Sequence, residues 1–160
     1  MATQADDDGR WLDRAVALAT ANVAQGGGPF GAVLVRDGKE VASGQNRVTL
    51  DLDPTAHAEV VGIRNACRAL QTHELQGLTL YSSCEPCPLC LTACLWARLD
   101  RVVYAADRGD AARAGFDDRV FYELLDQPRS TWPTPVEQCP VPTAQAPFET
   151  WLAHEARIHY

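Results

Sequence analysis

Two short stretches about thirty residues apart, His57-Ala58-Glu59 and Pro86-Cys87-Pro88-Leu89-Cys90, constrain this chain more than anything else in it. One imidazole and two thiols separated by two residues are what zinc takes when three protein ligands hold it and a fourth position stays open for water. An open position makes a reagent rather than a structural staple. Glu59 suits a different task from the three ligands, because a carboxylate beside an activated water can take its proton and pass it on.

The flanking residues place both stretches at helix starts. Asp51-Leu52-Asp53-Pro54-Thr55 combines turn and helix-start signals, with Asp53 or Thr55 as N-cap and Pro54 suited to the first turn. The helix that follows runs through Val60, Ile63, Cys67 and Leu70, with His57 and Glu59 in its first turn. Pro86 precedes a second helix reaching to about Ala97, and Cys87 and Cys90 share one face of it. Their thiolates then sit at the positive end of the helix dipole, which favours the ionised, metal-binding form.

Two other metal readings use the same cysteines. Cys84, Cys87, Cys90 and Cys94 match the spacing of a ferredoxin cluster motif, except that Leu95 stands where proline is expected. That reading leaves His57 and Glu59 without a purpose. A closed structural zinc site, completed by Cys84 or Cys94, would leave Glu59 unused. Cys84 and Cys94 are therefore expected as small packing residues, and His73, His154 and His159 as surface residues.

The remaining chain is read from its periodicity. Residues 1 to 8 form a polar tail expected to be disordered. Trp11, Leu12, Ala15, Val16, Ala19 and Val23 recur at helical steps and predict an amphipathic helix from about Asp8 to Gln25. Ala32 to Val35 and Val41 to Ser43 flank Asp37-Gly38 and read as a hairpin. Leu78 to Ser82 and Arg101 to Ala105 read as further strands, Asp107 to Asp118 as a loop, and Val120 to Leu125 as a short helix. Six prolines between Pro128 and Pro147 leave room for one short strand near Val136 to Cys139. A last helix through Phe148, Trp151, Leu152, Glu155 and Ile158 is expected to end almost at Tyr160. This order predicts an α/β fold with a mixed sheet of about five strands and helices on both faces.

Net charge and termini narrow the partners. At −7, the chain lacks the overall attraction that drives non-specific binding to a phosphate backbone, so nucleic acid is disfavoured. The start, with Asp6-Asp7-Asp8, has neither the basic end nor the apolar core of a signal peptide, and no apolar run approaches the roughly 20 residues that span a bilayer. A cytoplasmic location without a membrane partner is expected. The six cysteines then read as ligands or buried small hydrophobes before disulfides.

His-x-Glu with Pro-Cys-x-x-Cys is the mark of the zinc deaminases, and the chain resembles the cytidine deaminase superfamily over nearly its whole length. The resemblance rests on Gly27 to Val33, Gly44-Gln45-Asn46, Asp53 to Glu59, Ser83 to Cys90, Trp96-Ala97-Arg98, Ala114 to Asp118 and the terminal Tyr160. Within the superfamily it is most similar to the bacterial guanine deaminases, on the strength of Gly115 to Asp118 with a C-terminal tyrosine. The resemblance implies a three-layer α/β/α fold and one zinc per chain. Residues 9–127 would form the deaminase core, and 128–160 an arm and helix that complete the site. The implied reaction is guanine plus water to xanthine plus ammonia, in a homodimer that allows the C-terminal segment to be exchanged between subunits. Guanosine, cytosine, a nucleoside or an aminotriazine are alternative substrates, and a tRNA adenosine deaminase would need a basic surface.

Role by role, the resemblance gives His57, Cys87 and Cys90 to the metal, Glu59 to proton transfer and Asp118 to a second acid near the leaving amine. Asn46 would hydrogen-bond the purine, Phe30 and Trp96 would line its ring, Ala58 would add a contact, and Tyr160 would close the site. Each outer residue has a plainer reading: Phe30 and Trp96 as core, Asp118 as a helix cap, Asn46 as a turn residue and Tyr160 as a frayed end.

Overall fold

The computed structural model describes residues 4–160, as two compact units that divide between Arg119 and Val120. Helix α1 (Gln4–Ala24) begins earlier than its apolar periodicity suggests, so residues 4–7 of the expected tail are helical; residues 1–3 lie outside the described residues. The early start has a physical cause. Asp8 Oδ1 accepts from Tyr81 Oη at 2.8 Å and from Arg101 Nη1 at 2.7 Å, and Oδ2 accepts from Arg101 Nη2 at 2.6 Å. An acid that reads as solvated tail is therefore a clamp on the sheet.

The hairpin is β1 (Gly31–Arg36) and β2 (Lys39–Gln45), turned through Asp37 at φ 50° and Gly38 at φ 69°. Two positive φ values in a two-residue loop match the twist of the flanking strands. A one-turn helix, α2 (Val48–Asp51), precedes α3 (Ala58–Leu70). Strand β3 (Thr79–Cys84), α4 (Pro88–Trp96) and β4 (Arg101–Ala106) follow. The sheet order is β2-β1-β3-β4, antiparallel except for the β3/β4 pair. It has four strands rather than about five, because the proline-broken run at 136–139 forms none.

Strand alternation sorts the two faces. Val33, Val35 and Tyr81 point towards α1 and meet Trp11 and Ala15; Leu34 and Leu80 point the other way and meet Ala66 of α3 and Cys94 of α4. The result is three layers, helix on sheet on helix. Leu34, Leu75, Leu78 and Leu80 are fully buried, and each stabilises the fold by about 1.5–3 kcal/mol. The Arg47–Asp51 and Arg98–Glu74 ion pairs lie in solvent, which screens them, so the core holds the fold. Val16 and Val23 of the expected apolar stripe stay exposed, while Asn22 is buried in their stead. Its Nδ2 donates to Gly28 O at 2.8 Å and to Asn46 O at 2.7 Å, pinning the glycine loop to the end of β2.

Gly44 decides how close α3 can come. A Cβ at this position would collide with the Ala58 carbonyl oxygen and the Gly62 amide, so the first turns of α3 lie directly on the β2 backbone. Downstream, Arg108–Arg113 forms helix α5 where a loop is expected; Asp107 and Asp110 close a reciprocal capping box on it. The second unit contains α6 (Arg119–Leu125, entering from the first), a 3-10 turn at Arg129–Thr131 and α7 (Ala146–Ala153). α7 stops short of Tyr160, against expectation. No helix among the described residues is long and apolar enough to cross a membrane.

The Asp8 clamp predicts a pH signature. The Arg101 guanidinium holds the Asp8 carboxyl well below the usual range, against a smaller opposing effect of burial. Its stabilisation is full above the unfolded value of about 3.9 and is lost as pH falls towards the folded value. Asp8→Asn should lower Tm at pH 7 by about 2–4 °C, on the order of 1 kcal/mol, and melting curves should show that gap closing between pH 5 and pH 2. A gap that stays constant with pH contradicts the clamp.

Candidate active site

Three donor atoms meet at the starts of two helices. His57 caps α3 and Cys87 caps α4, each with extended backbone and neither with a side-chain capping hydrogen bond. This corrects the expected Asp53 or Thr55 cap, since Asp53 Oδ1 instead accepts from Thr55 N and Oγ1 at 2.8 and 2.7 Å. His57 Nδ1 lies 3.5 Å from Cys87 Sγ and 3.4 Å from Cys90 Sγ, and the sulfurs are 3.6 Å apart. A tetrahedral zinc, with bonds of about 2.3 Å to sulfur and about 2.0 Å to nitrogen, needs about 3.5 Å between nitrogen and sulfur and about 3.8 Å between sulfurs. The donor set fits the ion in chemistry and in spacing. Among the described residues, no other group of three such side chains is close enough to share one.

The other cysteines stand aside. Cys84 Sγ donates to Asp107 O at 3.6 Å, and Cys94 packs in the core with Leu34 and Leu80. Burial pushes their thiols up to about 11 and about 12, so both keep their protons at neutral pH. Cys87 differs. Its thiol is held down at about 4, first by the hydrogen bond with Cys90 and, against burial, by His57. Cys90 is pushed up by Cys87 and by burial, and His57 is raised chiefly by its bond to Cys87. An incoming cation displaces the protons that remain, so acid competes with the metal.

Glu59 is the second residue of α3 and only 5% exposed, which removes the reading of a solvated first-turn glutamate. Its Oε1 accepts from Ser82 Oγ at 2.8 Å, and its Oε2 accepts from Cys90 Sγ at 3.2 Å. Burial raises its carboxyl, opposed by its own backbone N–H and by Ser82. A carboxyl raised in this way holds a proton more readily than a solvated one, which suits a group that takes and returns one.

The outer residues fall into two groups. Phe30 meets Phe116 edge to face at 5.0 Å, and Phe30 O accepts from Asn46 N at 3.1 Å. Asn46 is buried, and its Oδ1 accepts from Val48 N at 3.2 Å. Ala58 is fully buried as the first residue of α3, where helix geometry leaves its N–H without an intrahelical acceptor. Burial and then the Cys87 charge raise the Asp118 carboxyl, and its buried Oδ1 has no partner among the described residues. The N–H of Arg119 goes to Asp117 Oδ1 at 3.1 Å. Trp96 is 62% exposed rather than core, and Tyr160 sits in the second unit with its ring 6.4 Å from that of Trp151.

Sequence reasoning missed three contributors. Phe116 reaches Phe30 only through the fold. Ser82 carries no motif of its own, and only strand parity aims it at α3. Glu85 ties the metal loop to α5: Oε2 accepts from Arg108 N and Oε1 from Arg108 Nε, both at 3.0 Å, with Nη2 closing the pair.

Fold and site together define the class, a zinc-dependent aminohydrolase built on an α/β/α sandwich. Residues 5–106 match the cytidine and deoxycytidylate deaminase zinc-binding region. The guanine deaminase of Bacillus subtilis is 51% identical over 142 residues, 88% of this chain and 91% of its own. Its crystal structure superposes with a TM-score of 0.92 at 48% identity, covering 94% of this chain and 97% of that one. A guanine deaminase from Nitrosomonas europaea gives a TM-score of 0.66 at 31% identity over 74% of this chain and 66% of its own. The tRNA-specific adenosine deaminase of Aquifex aeolicus is 41% identical over 49% of this chain and 52% of its own. The chain belongs to the cytidine and deoxycytidylate deaminase family.

Removing one donor at a time separates ligands from neighbours. Cys87→Ser and Cys90→Ser should each weaken zinc retention at least about tenfold, whereas Cys84→Ser should keep it. Zinc measured on dialysed protein, against a metal-binding dye of known affinity, reads this directly. Loss of zinc in Cys84→Ser would point to a third sulfur ligand.

Proposed function

We propose that the chain is a guanine deaminase, hydrolysing guanine to xanthine and ammonia with one zinc held per chain by His57, Cys87 and Cys90. The observation that carries the reaction class is the buried carboxylate of Glu59 beside the His-Cys-Cys donor set. The substrate rests on likeness to the Bacillus subtilis guanine deaminase, in identity and in coverage of both chains. The net charge of −7 speaks against a nucleic-acid substrate.

Zinc, when bound, supplies a Lewis acid that lowers the pKa of a water from 15.7 to about 7. Glu59 takes the proton that water gives up and delivers it to a ring nitrogen as the amino-bearing carbon gains oxygen. The carboxylate, free again, then takes the second proton from the oxygen added to that carbon and passes it to the amine; the carbonyl forms, the carbon–nitrogen bond breaks, and ammonia leaves. Asp118 stands as a second acid for that departure. Phe30, with Phe116 behind it, and Trp96 offer flat apolar surface to the purine. The Asn46 amide and the Ala58 N–H offer hydrogen bonds to its edge. Tyr160 as a covering residue, the homodimer and the exchange of residues 128–160 complete the reading on resemblance alone. A cytoplasmic location suits six cysteines that are all free thiols.

Glu59→Gln keeps the shape of the side chain and removes its ability to accept a proton. It should retain zinc and lose at least about a hundredfold in kcat on guanine, measured by ammonia release. Guanosine, cytosine and an aminotriazine assayed alongside test the substrate. Turnover of one of these with guanine untouched would overturn guanine and leave the reaction class standing; full activity in Glu59→Gln would overturn the proton carrier.

A further inference from the structure

We propose that Ser82 is a positioning residue for Glu59, its buried hydroxyl fixing which carboxylate oxygen faces the metal donors. The proposal rests on the reading of Glu59 as proton carrier. Ser82 lies inside β3, paired with Ala32 of β1 on one side and Tyr104 of β4 on the other, so its backbone is held from both edges. It follows Leu80 by two residues, and strand alternation therefore aims it at the face covered by α3. At 1% exposure its hydroxyl is sealed from bulk water.

Ser82 Oγ donates to Glu59 Oε1 at 2.8 Å, and the same oxygen accepts from Cys84 N at 3.4 Å. A glutamate side chain turns about three single bonds, and a donor on a rigid strand removes that freedom at the carboxylate end. With Oε1 tied to the sheet, Oε2 is the oxygen on the ligand side, 3.2 Å from Cys90 Sγ. Ser82 reaches the donor set through Glu59.

The test uses the zinc-loaded full chain with guanine and four variants: Ser82→Ala, Ser82→Thr, Glu59→Gln and the double Glu59→Gln/Ser82→Ala. Ser82→Ala should lower kcat at least about tenfold, with KM within about twofold and zinc content unchanged. Ser82→Thr, which restores a hydroxyl on a β-branched residue suited to a strand, should recover kcat to within about threefold of wild type. In the Glu59→Gln background, Ser82→Ala should change the residual kcat by less than about twofold. A crystal structure of Ser82→Ala should show the Glu59 carboxylate rotated or in two conformers, a readout independent of turnover.

Wild-type kcat in Ser82→Ala, equal loss in Ser82→Thr and Ser82→Ala, or an unmoved Glu59 carboxylate overturns the proposal. So does an undiminished effect of Ser82→Ala in the Glu59→Gln background. A wild-type protein inactive on guanine and on every other amine defeats the functional reading instead, and needs no variant to be recognised.

Discussion

The structure depends on bringing two helix starts to one point. α4 begins just after β3 and α3 follows the one-turn α2, and each opens with a donor-bearing residue at its cap position and no side-chain capping hydrogen bond. Three conditions allow the meeting. Gly44 lets the first turns of α3 rest on β2 without a side chain between them. Leu34 and Leu80 fill the space under α3 and α4, and the parallel β3/β4 pair carries α4 across the same face. The cap positions then place an imidazole and two sulfurs at the spacing of a tetrahedral ion, and the positive helix ends favour the thiolate at Cys87.

Burial gives that geometry its chemistry. Glu59 would be an ordinary solvated acid if α3 began a turn earlier in open solvent. Sealed beneath the sheet, it is raised by desolvation and held by Ser82, so it stands ready to exchange a proton. The same low-polarity setting keeps Cys84 and Cys94 protonated and out of the metal site. Four cysteines close in sequence therefore divide into two that meet His57 and two that pack. The Glu85–Arg108 pair extends the order outwards, fastening α5 to the metal loop.

What was legible in the sequence was local. The hairpin, the strands and the two helices behind the metal motifs follow from alternation, helical spacing and turn residues within short windows. Helix α5 was hidden because Gly109 and paired acids resemble a loop; the cap that holds it uses Asp110 where glutamate is the usual signal. The early start of α1 depends on Arg101 and Tyr81, far along the chain, as the burial of Asn22 depends on Gly28 and Asn46. In the site, His57, Glu59, Cys87 and Cys90 announce themselves by spacing, while Ser82 and Phe116 become partners only when the sheet and the α5 segment are in place. Long-range packing, which no short window carries, accounts for each of these gaps.

The site depends on one mixed donor set of a single imidazole and two sulfurs. X-ray absorption at the zinc edge of the loaded protein reads that set without any assay of turnover. Two sulfurs at about 2.3 Å are expected, with the remaining neighbours nitrogen or oxygen at about 2.0 Å. A shell of three or four sulfurs, or one with no sulfur, contradicts that set.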